Sequence, residues 1–191
     1  MKRKLTCSLG LLALALCWGA LPVLAASITM TGTYDGASTL TPTGTPGVYI
    51  QNFTGDGQET TFGSFVPTAQ STVDFSNPPH IVFSNGMLSA AFSNGTLFGT
   101  TSGDGTGNGN GTATFTIDWV ITGGTGYFAG DTGAVTMTGL ITQTGPTTES
   151  ISNGSFTGTI STPSVPEPNA AILLGTALLA IAFGLGWRKS A

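Results

Sequence analysis

Apolar and polar side chains alternate most regularly at residues 112–122, TATFTIDWVIT. Ala113, Phe115, Ile117, Trp119 and Ile121 fall on one face. Thr112, Thr114, Thr116, Asp118 and Thr122 fall on the other, with Val120 the exception. A period of two over this length predicts a strand with one buried and one wet face. AVTMTGLITQT resumes the alternation, with Val135, Met137 and Ile141 on the buried side, and SFTGTIS predicts a last strand at 155–161. SITMTGTY and GVYIQNF read as strands with looser alternation. Asn85-Gly86 and Asn94-Gly95 sit between apolar runs, the pattern of a two-residue hairpin turn, and a third pair stands at Asn153-Gly154. Residues 72–100 therefore read as a β-meander, in which the tripeptide FSN opens at Phe75, Phe83 and Phe92. Gly123–Gly133 reads as a turn and SGDGTGNGNG, 102–111, as a flexible loop.

Composition strengthens the β reading. The 191 residues include 29 Gly and 33 Thr. Glycine loses backbone entropy in a helix, and β-branched threonine prefers strands. The expected fold class is all-β: a single antiparallel barrel or sandwich built from hairpins, flanked by an N-terminal signal helix and a C-terminal transmembrane helix.

Charge excludes several functions. All five basic residues lie at the ends: Lys2, Arg3, Lys4, Arg188 and Lys189. All nine acidic residues lie between them. Without cations to displace phosphate counterions, the domain has no means of gripping nucleic acid. An arginine clamp and a catalytic lysine are excluded as well. The only ion pairs open to the domain use His80. Cys7 and Cys17 both lie in the first apolar segment, so the domain carries no thiol chemistry. Leu16 before Cys17 is larger than the residue that precedes an acylated cysteine.

The ends read as addresses. Lys2-Arg3-Lys4, the apolar run Leu9 to Leu16, Pro22 and then Val23-Leu24-Ala25 form a secretory signal peptide over 1–25. Cleavage is expected after Ala25, with Ala26 as the alternative. At the other end, residues 170–187 form an apolar span closed by Trp187. Arg188 and Lys189 follow as a stop-transfer flank in the tail 188–191. Val165-Pro166-Glu167-Pro168 precedes the span as a stiff, extended element. This order (VPEP, apolar span, WRKSA) resembles the PEP-CTERM sorting signal over Val165 to Ala191, and Pro166, Glu167 and Pro168 match its motif directly. The resemblance implies processing by an exosortase-type enzyme in a Gram-negative-type envelope, removal of the tail and delivery to the cell surface or extracellular matrix. The chain is thus divided into a signal peptide (1–25), a Gly/Thr-rich β domain (26–162) and a sorting signal (163–191). ITGGTGYFAGDTG is similar to glycine-punctuated hairpins of small secreted barrels of the allene oxide cyclase and dirigent type. That similarity favours a barrel over a sandwich and transfers no catalytic residue.

Other motifs are weaker. Gly124-x-Gly126-x-x-Ala129 mimics a dinucleotide fingerprint but lacks the following helix. Asp131-Thr132-Gly133 spells an aspartic-protease signature, yet no second copy exists to share a proton. Asp104, Asn108 and Asn110 offer one carboxylate for calcium, which takes six to eight oxygens. His80 is the only histidine. Trp119 shares the apolar face, whereas Tyr127 and Phe128 are candidates for stacking on a sugar. The sequons at Asn52, Asn94, Asn110 and Asn153 follow from abundant Thr and Asn. No catalytic residue, metal ligand or cofactor is assigned. The leading expectation is a non-enzymatic surface or matrix protein, with membrane attachment before processing and exopolysaccharide as a candidate partner. The alternatives are a polysaccharide-binding module and a small β-barrel enzyme or apolar-ligand carrier.

Overall fold

The computed structural model describes residues 26–163. They form eight strands: β1 (Ala26–Pro42), β2 (Val48–Glu59), β3 (Gly63–Asn77), β4 (His80–Phe92), β5 (Gly95–Gly107), β6 (Thr112–Gly126), β7 (Thr132–Gly145) and β8 (Thr148–Thr162). Each strand pairs antiparallel with the next, and β8 returns to β1, from Ala26↔Thr162 to Thr39↔Thr148. The result is a closed barrel and not a sandwich. Closure leaves no free sheet edge for another chain to extend.

The alternation sorts residues as the pattern of β6 predicts. Phe115, Trp119 and Ile121 are buried, and Val120 is exposed. Val135, Met137 and Ile141 of β7 join the same core. Outside, hydroxyls stand in cross-strand register. Thr116, Thr138, Ser155 and Thr33 form one such row across β6, β7, β8 and β1. Thr138 and Ser155 share a hydrogen bond of 3.0 Å, and Thr136 donates to Asp118 at 2.9 Å. A membrane-spanning barrel turns an apolar band outward; this one puts most of its large apolar side chains inside, with Val66, Val82, Met87, Phe98, Val120 and Tyr127 exposed.

An eight-stranded barrel is barely wide enough for its own side chains. Here aromatic rings face glycines directly across the ladder: Gly32↔Phe156, Tyr34↔Gly154, Gly57↔Phe65 and Phe115↔Gly139. A Cβ on Gly139 would come within 2.8 Å of the Phe115 ring. Interior glycines thus make room for rings.

Several expected turns are strand instead. Asn85-Gly86 lies inside β4, and Asn153-Gly154 inside β8. Both asparagines adopt the left-handed conformation (φ 50° and 54°) that suits an Asn-Gly pair. They use it for β-bulges, where the ladder shifts register between Phe83 and Gly86 and between Tyr34 and Gly36. A bulge bends a long strand around the barrel. The β3–β4 turn is Pro78-Pro79, and only Asn94-Gly95 lies at a hairpin turn, formed by 93–94. The segment 102–111 was expected as a loop, but Ser102–Gly107 completes β5 and the loop is only 108–111. The turn expected at Gly123–Gly133 shrinks to 127–131. In both places glycine serves as a spacer: Gly105 lies beneath Phe83, and Gly123 beneath Phe98.

Gly139→Ala is expected to cost about 1–3 kcal/mol, as overpacking does. Gly107→Ala, whose Cβ would meet nothing closer than Pro79 O at 3.5 Å, is expected to stay within about 0.5 kcal/mol of the parent. Urea unfolding of the two variants measures the contrast.

Candidate functional site

The two ends of the barrel differ. One end carries the turns 60–62, 93–94 and 127–131 together with both barrel termini, Ala26 and Pro163. It is plugged with rings. Phe62 meets Phe128 edge-on at 4.9 Å between centroids, and Phe92 packs against Phe128 at 5.1 Å and Phe65 at 5.1 Å. Glu59 sets this plug. Its buried carboxylate accepts the backbone N–H groups of Thr61 (2.6 Å), Phe62 (2.5 Å) and Thr31 (3.3 Å). Those bonds satisfy an otherwise costly buried charge and fix the turn that aims Phe62 inward.

The opposite end is an open mouth. A cavity of about 570 Å³ lies there between Leu40, Tyr49, Phe75, Ile81, Ile141 and Glu149. Pro78, Pro79 and Pro146 stiffen its rim. Glu149 is buried, and its Oε2 accepts hydrogen bonds from Ser38 Oγ (2.8 Å) and Gln51 Nε2 (2.8 Å). Gln51 Nε2 also donates to Ser38 Oγ at 3.2 Å, and Ser71 Oγ donates to Gln51 Oε1 at 3.5 Å. Strands β1, β2, β3 and β8 therefore supply one polar cluster beneath the mouth. Below it the interior is solid: the void beside Trp119, Met137 and Phe156 measures about 10 Å³.

Sequence inspection missed this cluster. Its signal was the phase of alternation. Glu149 shares a face with Ile151, and Gln51 with Phe53, so polar residues stand at inward positions.

The singled-out residues fall elsewhere. His80 Nε2 lies 3.4 Å from Asp104 Oδ1, both side chains being exposed, so the pair adds little stability. Asp104 stands on β5 opposite Thr116, away from any chelating loop. Asn108 and Asn110 bond to Thr112. No cluster of three His, Cys, Asp or Glu able to hold a metal occurs among the described residues. The glycines at 124 and 126 end β6, and a strand follows them. Phe128 is fully buried and unavailable for sugar stacking; Tyr127 is 57% exposed beside it. Ala25, Val165, Pro166, Glu167, Pro168, Arg188 and Lys189 lie outside the described residues, as do the signal and transmembrane helices.

Asp131 is the unexpected group. Both carboxylate oxygens are covered, and neither has a hydrogen-bond partner among the described residues. The side chain is sealed, yet it lies near the surface at the plugged end and not deep inside. Loss of hydration raises its pKa above the ordinary aspartate value. A lone carboxyl shut off from solvent does not make a protease site, which needs two carboxylates open to substrate. Elsewhere, burial pushes the Tyr34 phenol up, and its hydroxyl donates to Thr138 O at 3.2 Å. Bonds from Ser76 hold the exposed Asp74 down.

The raised pKa sets a direction for stability. The folded state keeps the Asp131 proton at pH values where the unfolded chain has released it. Stability from this group is therefore complete below the unfolded pKa and is lost as pH rises through the folded one. Asp131→Asn is expected to raise the melting temperature at pH 7, with the gain vanishing toward pH 4; thermal scans across that range measure it. Compared with protein-family models, with curated proteins and with solved structures, the chain gives no match.

Proposed function

We propose that the chain is an exported surface or extracellular-matrix protein, structural or adhesive and without catalysis, whose PEP-CTERM-like tail is processed by an exosortase-type enzyme. The observation that carries this reading is the placement of both barrel termini. Ala26 and Pro163 leave at the plugged end, so attachment through either end keeps the walls and the mouth free. The hydroxyl-rich walls, with no lysine or arginine between residues 4 and 188, suit a hydrated neutral matrix. The absence of free edges suits a protein that is concentrated at a surface without polymerising through its strands.

A hollow on the outer wall favours a second reading, a polysaccharide-binding module. It measures about 450 Å³ and includes Asn52, Gln70, Ser89, Phe98 and Thr100. Gln70 Nε2 donates to Asn52 Oδ1 at 2.8 Å, and Phe98 is 41% exposed. An amide pair beside an exposed ring offers hydrogen bonds and an apolar face, the two things a sugar ring asks for.

Intact-mass measurement of the secreted protein is expected to show a chain that begins at Ala26 and lacks the apolar tail. Glu167→Gln is expected to leave the tail uncut and the protein in the membrane fraction. Normal processing of that variant overturns the sorting reading. For the second reading, Phe98→Ala is expected to weaken binding to neutral glycans about tenfold, equivalent to about 1.4 kcal/mol. Glycan-array binding unaffected by the change rules the wall hollow out.

A further inference from the structure

We propose that the open mouth of the barrel binds a small organic cation: an ammonium head on an apolar or aromatic body. This inference stands on the barrel alone and does not rest on the reading of the chain ends. The cavity of about 570 Å³ falls within the range of small-molecule sites. Its walls are apolar where Leu40, Ile81 and Ile141 line it. Tyr49 and Phe75 add an edge-to-face aromatic pair at 5.8 Å. A proline-stiffened rim keeps the cavity preformed, so little ordering is spent on binding.

Glu149 selects the head group. Among the described residues it is the only acidic one lining the cavity, and no basic one lines it. Ser38 and Gln51 donate to Oε2 and fix the carboxylate in place; Oε1 receives neither of these bonds. A buried carboxylate that meets these two neutral donors through one oxygen alone gains most from a cationic donor. Tyr49 and Phe75 line the same cavity and would offer cation–π attraction to such a ligand. An anionic head meets the opposite situation. The described residues contain no lysine or arginine, so a carboxylate or phosphate would enter beside Glu149 with nothing to neutralise it. The ligand class is therefore cationic and never acidic.

The test uses the full-length chain held in a mild non-ionic detergent, with detergent alone as the blank, and three probes of one shape: naphthylmethylamine, naphthylmethanol and naphthoate. Calorimetric titration at neutral pH is expected to show the amine binding at least roughly tenfold more tightly than the alcohol, as a hydrogen bond to a charged group provides. Naphthoate is expected not to bind. Glu149→Gln should bring the amine down to the level of the alcohol. Gly107→Leu places bulk in the mouth at a position where a Cβ meets no close atom, and leaves the Ser38–Gln51–Glu149 cluster untouched. It should abolish binding of both probes. If Glu149→Gln fails to fold, the selectivity of the parent and the Gly107→Leu result still decide the matter. Equal binding of amine and alcohol, binding of naphthoate, absence of any binding, or binding that survives Gly107→Leu overturns the proposal.

Discussion

The narrow bore of a closed eight-stranded barrel is the constraint on which the rest of this molecule depends. Eight strands leave just enough interior for side chains to fill, and this chain fills it with phenylalanines. Four of its rings need an empty neighbour. Glycine provides it at Gly32, Gly57, Gly139 and Gly154, each directly across the ladder from a ring. These ring–glycine pairs let large and small residues interlock within the narrow bore. The remaining void near Trp119, about 10 Å³, is too small for any ligand. The larger hollows lie instead at the mouth and on the outer wall.

The ends are then set apart by two buried carboxylates in different surroundings. Glu59 is surrounded by backbone N–H donors and organises a turn, which drives Phe62 into the plug. Glu149 receives side-chain donors on one oxygen and faces a cavity. The first carboxylate is enclosed by a turn; the second lines the open mouth. Both barrel termini emerge at the plugged end, opposite the open mouth.

Much of the fold was legible because alternation reports burial directly. In β6 the apolar phase of Phe115, Trp119 and Ile121 became the inward face, with Val120 the outward exception. Boundaries were less legible where glycine and asparagine cluster. The tripeptide FSN shows why. At Phe75 it ends β3, at Phe83 it enters the bulge of β4, and at Phe92 it leads into a hairpin turn. Asn-Gly specifies a local left-handed backbone, and both a turn and a bulge can use that conformation. The choice between them belongs to the neighbouring strands. The candidate site was less legible still. Ser38, Gln51, Ser71 and Glu149 come from four strands, and nothing local marks them except polar character at an inward phase.

By itself the sequence determined the all-β class, the buried and wet faces of the central strands, and the absence of any internal cation for an acidic partner. These are local or additive properties, readable from period and composition. Only the tertiary structure decided that the sheet closes, that interior glycines are spaces for rings, and that four separated polar residues meet beneath one mouth. Those features depend on cross-strand register, and register is set by closure of the whole barrel and not by any single strand.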